Sequence, residues 1–177
     1  MRETLHTFDR KVGHVVDKLP NWVHPIMDFF TLIGQPPFTI GISAVSLGYG
    51  LALNKPFYLY AGIVSIITIV VSSLLKITLH RARPVNDYVK SMMFKTYSFP
   101  SGHAAGALVS YGLAALIVAN KWPESTMTAW VVALVATFFV SLSRIYLGAH
   151  YTSDIIGGWI VGAAGLAFIL AFVNGSW

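Results

Sequence analysis

Cysteine is absent from the sequence, and charged residues are scarce. Without cysteine the chain can form no disulfide, no thiolate metal site and no cysteine nucleophile. Charged residues make up only 11% of the 177 residues, whereas an average soluble domain has about 25%. Hydrophobic residues make up 55%. This composition excludes an ordinary soluble domain and indicates a protein embedded in a membrane.

The N-terminal segment also lacks the uninterrupted apolar stretch of a signal peptide, because charged and apolar residues alternate along residues 1–20. Low-complexity tracts and obvious internal repeats are missing as well. We therefore expect a single membrane domain over residues 1–177, without a cleaved targeting segment.

Five apolar stretches are long enough to cross a bilayer as helices, which takes about 20 residues. They are Pro36 to Asn54, Pro56 to Leu75, Ala104 to Asn120, Ser125 to Ser143 and Ile155 to Asn174. In the N-terminal part, residues 1–35, Thr4 to Lys18 has the spacing of an amphipathic helix that lies in the interface plane. Asn21 to Ile33 is apolar but short, which favours a partial or re-entrant helix and leaves a sixth crossing open. The expected fold is all-α, a polytopic transmembrane helix bundle.

Consecutive spans run in alternating directions. The end of span two, the start of span three, the end of span four and the start of span five therefore share one membrane face. The polar residues at these ends are Lys76, His80, Arg81, Arg83, Ser101, His103, Arg144, His150 and Asp154. The obvious charges at the other face are Lys55, Lys121 and Glu124. Because ionisable residues at membrane depth cost free energy, this gathering predicts a functional site.

The basic residues of this face predict an anion site. A single basic residue at the end of a span is usually an anchor that reaches the interface, and we interpret Lys121 in that way. By contrast, Lys76, Arg83 and Arg144 would meet two histidines on one face with little acid near them. Arginine offers phosphate oxygens a planar fork, and lysine offers a point charge. Ser101–Gly102 opens a helix, whose free backbone N–H groups also favour an anion.

His150 and Asp154 are four residues apart, which places them on one face of a helix. A carboxylate that binds one imidazole nitrogen fixes the tautomer and leaves the other nitrogen free to attack. His103, at the start of another span, is then available as a general acid. The alternatives are a structural His–Asp pair or half of a metal site, which the surrounding cations disfavour. The residues alone fit phosphoryl transfer through a phosphohistidine.

Three short motifs occur in order between residues 76 and 154. They are K-x6-R-P at Lys76, Arg83 and Pro84, P-S-G-H at Pro100, Ser101, Gly102 and His103, and S-R-x5-H-x3-D at Ser143, Arg144, His150 and Asp154. Together they resemble the motifs of the type 2 phosphatidic acid phosphatase (PAP2) superfamily, which also includes vanadium haloperoxidases and glucose-6-phosphatases. Each motif alone has modest specificity, whereas the three together are highly specific.

The resemblance implies a role for each matching residue. His150 is similar to the family's nucleophile, Asp154 would orient it, and His103 would protonate the leaving oxygen. The phosphate-binding residues would be Lys76, Arg83, Ser101, Gly102 and Arg144. The family needs no metal, so we expect no metal and no other cofactor. Its membrane members are typically six-helix proteins with the active site near the extracytoplasmic interface, and this chain departs from them with five full spans.

A site at the interface between apolar spans is open to a lipid with a phosphate head group. The resemblance therefore implies a lipid phosphatase of the cell membrane, with phosphatidylglycerophosphate, phosphatidic acid, undecaprenyl diphosphate and lipid A phosphates as candidate substrates. The expected partners are that substrate and membrane lipids, without nucleic acid, and the sequence indicates no oligomeric state. In the basic loop, Lys90 and Lys95 either bind a second phosphate or face solvent near anionic lipid, and we favour the second interpretation.

Three alternative functions also fit a site of this composition. A phosphotransferase would pass the phosphoryl group from the histidine to a lipid or sugar acceptor instead of water. A vanadate-dependent oxidant would use the same anion pocket, but those relatives are soluble and this chain has five spans. A non-enzymatic lipid-phosphate binder or transporter would have no need of His150.

Overall fold

The protein is a bundle of helices. The computed structural model describes residues 2–92 and 96–173, and that part of the chain is mostly helical and contains no β-strand. Its α-helices are α1 (Arg2–Val16), α2 (His24–Ile33), α3 (Pro36–Leu53), α4 (Pro56–Leu79), α5 (Asp87–Ser91), α6 (Gly102–Lys121), α7 (Thr126–Tyr146) and α8 (Thr152–Phe168). Short 3-10 turns, Asn21–Val23 and Pro123–Ser125, precede α2 and α7, and a π-helical turn, Ile169–Val173, follows α8. The predicted all-α class is confirmed.

Helices α3, α4, α6, α7 and α8, together with their flanking turns, form five segments that are long and apolar enough to cross a bilayer. The segments contain 18 to 24 residues. At a rise of about 1.5 Å per residue they are roughly 27 to 36 Å long. Large apolar side chains such as Val45, Ile67 and Ile160 are exposed on their outer surfaces, as expected for helices that face lipid. The prediction of five spans is confirmed, and the chain is a multi-pass membrane protein.

Helix α6 lies at the centre of the bundle, and α3, α4, α7 and α8 all pack on it. Its first turns carry small buried residues over 104–107. Facing them, Gly158 and Gly162 of α8 leave no space for a side chain, since a Cβ atom at Gly162 would lie 2.8 Å from the carbonyl oxygen of Ala105. This small-residue contact, typical of close packing in lipid, brings the starts of α6 and α8 together.

The first crossing is divided between α2 and α3, with a break at residues 34–35. Helix α2 enters from the motif-bearing face beside α7, where the Phe30 ring stacks on the Phe139 ring at 4.9 Å. The hydroxyl of Tyr111 donates to the carbonyl oxygen of Ile33 at 2.9 Å, which satisfies a backbone group that the break leaves free. Helix α3 then continues to the opposite face. The predicted partial helix is confirmed, and it makes no sixth crossing of its own.

Helix α1 lies on the motif-bearing face and contacts the ends of α7 and α8. Asp9 and Val16 are buried against the bundle, whereas the apolar side chains of Leu5, Phe8 and Val15 are exposed. A helix with an exposed apolar surface at this position suits the membrane interface. It agrees with the predicted amphipathic helix, shifted by two residues toward the N-terminus.

Two spans continue about one turn beyond their predicted ends, so Lys76 and Arg144 lie inside α4 and α7 rather than after them. Their charged groups turn onto buried acceptors, which are the carbonyl oxygen of Pro100 for Lys76 and the hydroxyl of Thr31 for Arg144. A charged residue with a buried partner does not need to end a helix. Likewise, α8 begins before Asp154, which belongs to its first turn.

Candidate active site

The motif residues meet at one end of the bundle, although they come from separate helices and connections. The backbone N–H of Ser101 donates to the carbonyl oxygen of Asp154 at 2.9 Å, which joins the start of α6 to α8. Arg83 Nη1 lies 3.3 Å from His150 Nε2, which joins the connection after α4 to the connection between α7 and α8. The gathering that alternating spans predict is therefore present in the structure.

The imidazole of His150 lies between a cation and a carboxylate. Its Nδ1 atom is 3.4 Å from Asp154 Oδ2, and its Nε2 atom faces Arg83. A guanidinium can only donate a hydrogen bond, so Nε2 is the acceptor nitrogen and Nδ1 carries the proton toward Asp154. This tautomer leaves the lone pair of Nε2 directed at the basic residues of the site, as a nucleophile of an anionic phosphate requires.

The two oxygens of Asp154 have different partners. Oδ2 accepts hydrogen bonds from the Ser98 hydroxyl and, at 2.9 Å, from the backbone N–H of Tyr151, besides facing His150. Oδ1 accepts from Arg81 Nη1 at 2.6 Å. The carboxylate is fully buried, so these donors replace the water that a charged group would otherwise bind. Asp154 is therefore held in one orientation by groups from three parts of the chain.

Burial and the surrounding positive charges keep His150 neutral. Burial, reinforced by the charges of Arg144, Lys76 and Arg83, holds the pKa of His150 well below its ordinary value of 6.5. Burial also lowers the pKa of Arg83, with Arg144 as the second cause, although a guanidinium remains charged. An anion bound here would relieve the repulsion among these cations.

Lys76 supports the loop that carries the second motif. Its Nζ atom donates to the carbonyl oxygen of Pro100 at 2.6 Å and lies 3.5 Å from those of Tyr97 and Ser98. The side chain is buried, with an exposed fraction of 9% for the residue. Lys76 thus fixes the backbone directly before Ser101.

Arg144 is a buried cation with an unused donor. Its residue exposure is 1%, and its Nη1 atom donates to the hydroxyl of Thr31 and, at 2.9 Å, to the hydroxyl of Tyr88. Its Nε atom is buried and has no hydrogen-bond partner among residues 2–92 and 96–173. Buried donors are rarely left unpaired, so this N–H indicates a place for an oxygen of a bound ligand.

The start of α6 offers further donors. Ser101 is the N-cap of the helix, and its hydroxyl accepts from the backbone N–H of Ala104 at 3.4 Å. Within the described chain, the N–H groups of Gly102 and His103 donate to no other group, as is usual for the first residues of a helix. The half-buried ring of His103 lies within electrostatic range of His150, Lys76, Arg83 and Arg144. The structure therefore brings all eight predicted site residues to one place.

Several residues around the site escape prediction from the sequence, and Arg81, which the sequence places on this face, receives no role there. Thr31, Tyr88 and Ser98 hold the motif side chains, and Arg81 joins Asp154 to Asp9 of α1. Arg81 carries the one available signal, since it lies within the first motif at a position that the motif leaves free.

The basic loop does not extend the cluster in the part that the structure describes. Lys90 is exposed and donates to Asp87 at 2.8 Å, as the solvent-facing interpretation expects. Lys95 lies outside the described residues. The proposed second phosphate position therefore gains no support from Lys90.

One groove is lined in part by His150, whereas a second, apolar groove lies deeper, between the membrane-spanning helices. A polar groove of about 1040 Å³ lies between α1 and the connection that carries His150. An apolar groove of about 490 Å³ lies between α6, α7 and α8, lined by Leu108, Leu134, Thr137, Phe138, Ile156, Trp159, Ile160 and Ala163. At this groove, Trp159 Nε1 donates to the hydroxyl of Ser141 at 2.9 Å, which links α8 to α7. The end of the apolar groove toward the motif-bearing face is Ile156, about one turn into α8, and none of its lining residues belongs to the three motifs.

Comparison with known proteins identifies the family. The sequence profile of the PAP2 superfamily matches residues 57–177. The chain is 33% identical over 103 residues to an undecaprenyl-diphosphatase of Sulfolobus acidocaldarius, covering 55% of this chain and 46% of the relative. It is 25% identical over 148 residues to phosphatidylglycerophosphatase B of Bacillus subtilis, covering 80% of this chain and 70% of the relative. The chain therefore spans about half the length of the first relative.

Among solved structures, the transmembrane PAP2 type phosphatidylglycerolphosphate phosphatase from Bacillus subtilis superposes with a TM-score of 0.83 and 22% identity, over 97% of this chain and 87% of that one. At this level of identity the likeness establishes the fold. The superfamily profile covers more than half of the chain and includes the residues of all three motifs. The chain belongs to the PAP2 superfamily.

Proposed function

We propose that this protein is a membrane lipid phosphatase that hydrolyses a phosphomonoester or diphosphate of a lipid through a phosphohistidine on His150. One observation carries the proposal: the acceptor nitrogen of a neutral, buried His150 faces Arg83, while its other nitrogen faces the fixed carboxylate of Asp154. This is the arrangement of an oriented nucleophile in an anion site. The phosphatases among its relatives support the same reaction class.

The reaction has two steps. His150 Nε2 attacks the phosphorus atom, so that the N–P bond forms while the P–O bond to the lipid breaks. His103, an imidazolium once the phosphate anion offsets the surrounding cations, gives its proton to the leaving oxygen. The imidazole becomes cationic, and Asp154 Oδ2 stabilises the proton on Nδ1. A water molecule then attacks the phosphorus, His103 takes its proton, and the N–P bond breaks to release inorganic phosphate. His150 returns to its neutral form.

The phosphate group is held by fixed donors during both steps. Arg83 and the unpaired Nε atom of Arg144 supply N–H groups with positive charge, and Lys76 adds a buried ammonium. The free N–H groups of Gly102 and His103 complete the set at the positive end of α6. Donors that are positioned before the substrate arrives stabilise the charge that develops on the equatorial oxygens.

The proposed mechanism uses no metal. The cations around His150 carry the electrostatic stabilisation that a divalent ion would otherwise supply. Within the described residues no group of three histidine or acidic side chains is placed to hold a metal ion.

The apolar groove between α6, α7 and α8 supports a lipid substrate. Its lining is almost entirely apolar, it lies between membrane-spanning helices, and Ile156 at its end toward the site face is about one turn into α8. A hydrocarbon chain in this groove would leave its phosphate head at the level of His150. All three candidate classes, a glycerophospholipid phosphate, a polyprenyl diphosphate and a lipid A phosphate, combine such chains with an anionic head. The site face is extracytoplasmic in this proposal, with the Lys55 and Lys121 ends of the spans in the cytoplasm.

A panel of lipid phosphates tests the proposal directly. Purified protein in detergent containing EDTA should release inorganic phosphate from at least one of phosphatidylglycerophosphate, phosphatidic acid, undecaprenyl diphosphate and lipid A. His150→Gln should lower turnover by about a thousandfold or more, because the nucleophile is lost. The exposed Lys90→Gln variant is the matched control and should retain full turnover.

Two results would contradict the proposal. Activity that disappears on chelation would remove the metal-free mechanism. A folded His150→Gln variant with unchanged turnover would exclude His150 as the nucleophile. Trapping a labelled phosphoryl group on wild-type protein, but not on His150→Gln, separates the phosphohistidine from direct attack by water.

A further inference from the structure

Asp9 of α1 is a buried carboxylate at the start of α8. Its side chain is 2% exposed. Oδ1 accepts from the backbone N–H of Ser153 at 2.8 Å, and Oδ2 accepts from the Ser153 hydroxyl at 2.7 Å. An anionic group in this position satisfies a free N–H of the first turn and interacts favourably with the positive end of the helix. Helix α1 is thereby fixed to the helix that carries Asp154.

Arg81 connects the two buried carboxylates. Its Nη2 atom donates to Asp9 at 2.7 Å, and its Nη1 atom donates to Asp154 Oδ1 at 2.6 Å. Its guanidinium lies over the Tyr151 ring, with 4.4 Å between the Cζ atom and the ring centroid. A planar guanidinium with both ends occupied has little freedom to rotate, so the position of Asp154 depends on the position of Asp9.

The contact with Arg81 determines which oxygen of Asp154 faces His150. Because Oδ1 is occupied by Arg81, Oδ2 is the oxygen left for His150, Ser98 and the N–H of Tyr151. Without Arg81, Oδ1 would be a buried charged atom without a partner, and the carboxylate would turn to recover one. The separation between His150 Nδ1 and Asp154 Oδ2 would change with that rotation.

We propose that Asp9 and Arg81 are positioning residues that hold Asp154, and through it His150, in the geometry for phosphoryl transfer, so that docking of α1 is a condition for activity. The inference rests on the proposed function of His150 as the nucleophile. Neither Asp9 nor Arg81 contacts His150, so both act through Asp154.

Steady-state kinetics on Arg81→Met and Asp9→Asn test the inference. Turnover should fall by about tenfold to a hundredfold in each, as for other groups that orient a catalytic histidine. KM should stay unchanged, because the phosphate-binding residues keep their positions. Asp17→Asn is the matched control, an exposed carboxylate directly after the same helix, and should behave as wild type. The double variant should lose less than the product of the single losses, because both residues act on one carboxylate.

A spectroscopic measurement separates positioning from a merely structural role. In protein with ¹⁵N-labelled histidine, the His150 signal, identified by its loss in His150→Gln, should report the Nδ1–H tautomer in wild type and in Asp17→Asn. It should report a mixture of tautomers in Arg81→Met and Asp9→Asn. If Arg81→Met does not fold, Asp9→Asn and Arg81→Lys give the same comparison with smaller changes in volume.

Failure of the proposed function and failure of the positioning inference give different experimental results. If wild type releases phosphate from no lipid of the panel, the proposed function fails, and the tautomer measurement still decides whether Asp9 and Arg81 position His150. If wild type is active and the folded variants keep both the tautomer and turnover, the positioning inference is wrong. A fall in turnover in proportion to a loss of folded protein, with the tautomer unchanged in the remainder, would also overturn it.

Discussion

At the scale of single residues, His150 combines two properties that rarely occur together. It is buried at 3% exposure, and its polar atoms face charged groups of both signs. Burial excludes competing water, the carboxylate fixes the proton on one nitrogen, and the cations keep the other nitrogen unprotonated. Each of these conditions comes from a different segment of the chain.

The lowered pKa of His150 predicts its behaviour on acidification. Because burial and three nearby cations disfavour the imidazolium, His150 should remain neutral as the pH falls through 6.5, the ordinary value for histidine. An NMR titration of ¹⁵N-histidine-labelled protein measures this directly, with His150→Gln used for assignment. Protonation of His150 at or above pH 6.5 in the ligand-free protein would contradict the prediction.

Tyr88 should tune phosphate binding through Arg144. Its hydroxyl accepts from Arg144 Nη1 at 2.9 Å, and the Arg144 Cζ atom lies 5.5 Å from the centroid of its ring. Tyr88→Phe removes the hydrogen bond but keeps the ring, so we expect KM to rise by about threefold to tenfold, the usual net contribution of one hydrogen bond at a partly exposed position. Tyr60→Phe, on the exposed surface of α4, is the control. If the KM of Tyr88→Phe equals that of Tyr60→Phe, Tyr88 has no part in phosphate binding.

At the scale of helices, α7 and α8 both pack on α6, and the apolar groove lies between these three helices. The hydrogen bond between Trp159 and Ser141 holds the two helices across that opening. A bulky side chain in the groove should therefore obstruct a long hydrocarbon chain without disturbing the chemical groups of the site.

Ile160→Trp tests this use of the groove. Ile160 lines the groove and is 65% exposed, so the larger ring should be accommodated without loss of folding. The kcat/KM for a long-chain lipid phosphate should fall by about tenfold, whereas that for a short-chain, water-soluble analogue should stay unchanged, since one to two kcal/mol is typical for a lost apolar contact. Val132→Trp is the matched control, on a second apolar groove beside α7. Equal losses for both chain lengths would exclude the groove as the lipid site.

At the scale of the whole molecule, five crossings place the start of α1 and the end of α8 on opposite sides of the membrane. The absence of native cysteine makes this arrangement open to labelling, because any introduced thiol is the sole target. Lys90→Cys, near the site, should react with a membrane-impermeant maleimide in intact cells. Lys121→Cys, at the other end of the bundle, should react only after permeabilisation. The reverse pattern would place the active site in the cytoplasm.

Much of this architecture was predictable from the sequence, because two simple rules determine it. Apolar length identifies the spans, and alternation of direction gathers Lys76, Arg144 and Asp154 at one face. The exact ends of α4 and α7 were not predictable, since a helix continues past a charged residue only when a buried acceptor such as the carbonyl oxygen of Pro100 is available. That acceptor is created by the fold.

The supporting residues were less accessible to prediction for a related reason. Asp9 lies 72 residues before Arg81 and 144 before Ser153, and no local pattern connects positions so far apart. Its surroundings in the sequence, Phe8 and Arg10, are typical of any amphipathic surface helix. Only the docked position of α1 distinguishes Asp9 from the exposed Asp17, which directly follows the same helix.

The link between Asp9 and the start of α8 also bears on how the protein is made. Synthesis produces α1 first and α8 last, so Arg81 is available to the Asp9 carboxylate before half of the chain is made, whereas Ser153 follows only when most of it has been translated. During that interval the apolar surface of α1 can hold it at the bilayer, while its acidic side chain remains in water. Insertion of α8, the last helix, brings Asp154 to Arg81 and Ser153 to Asp9. If Asp9 and Arg81 position Asp154 as proposed, the geometry for phosphoryl transfer is complete only after α8 has been inserted.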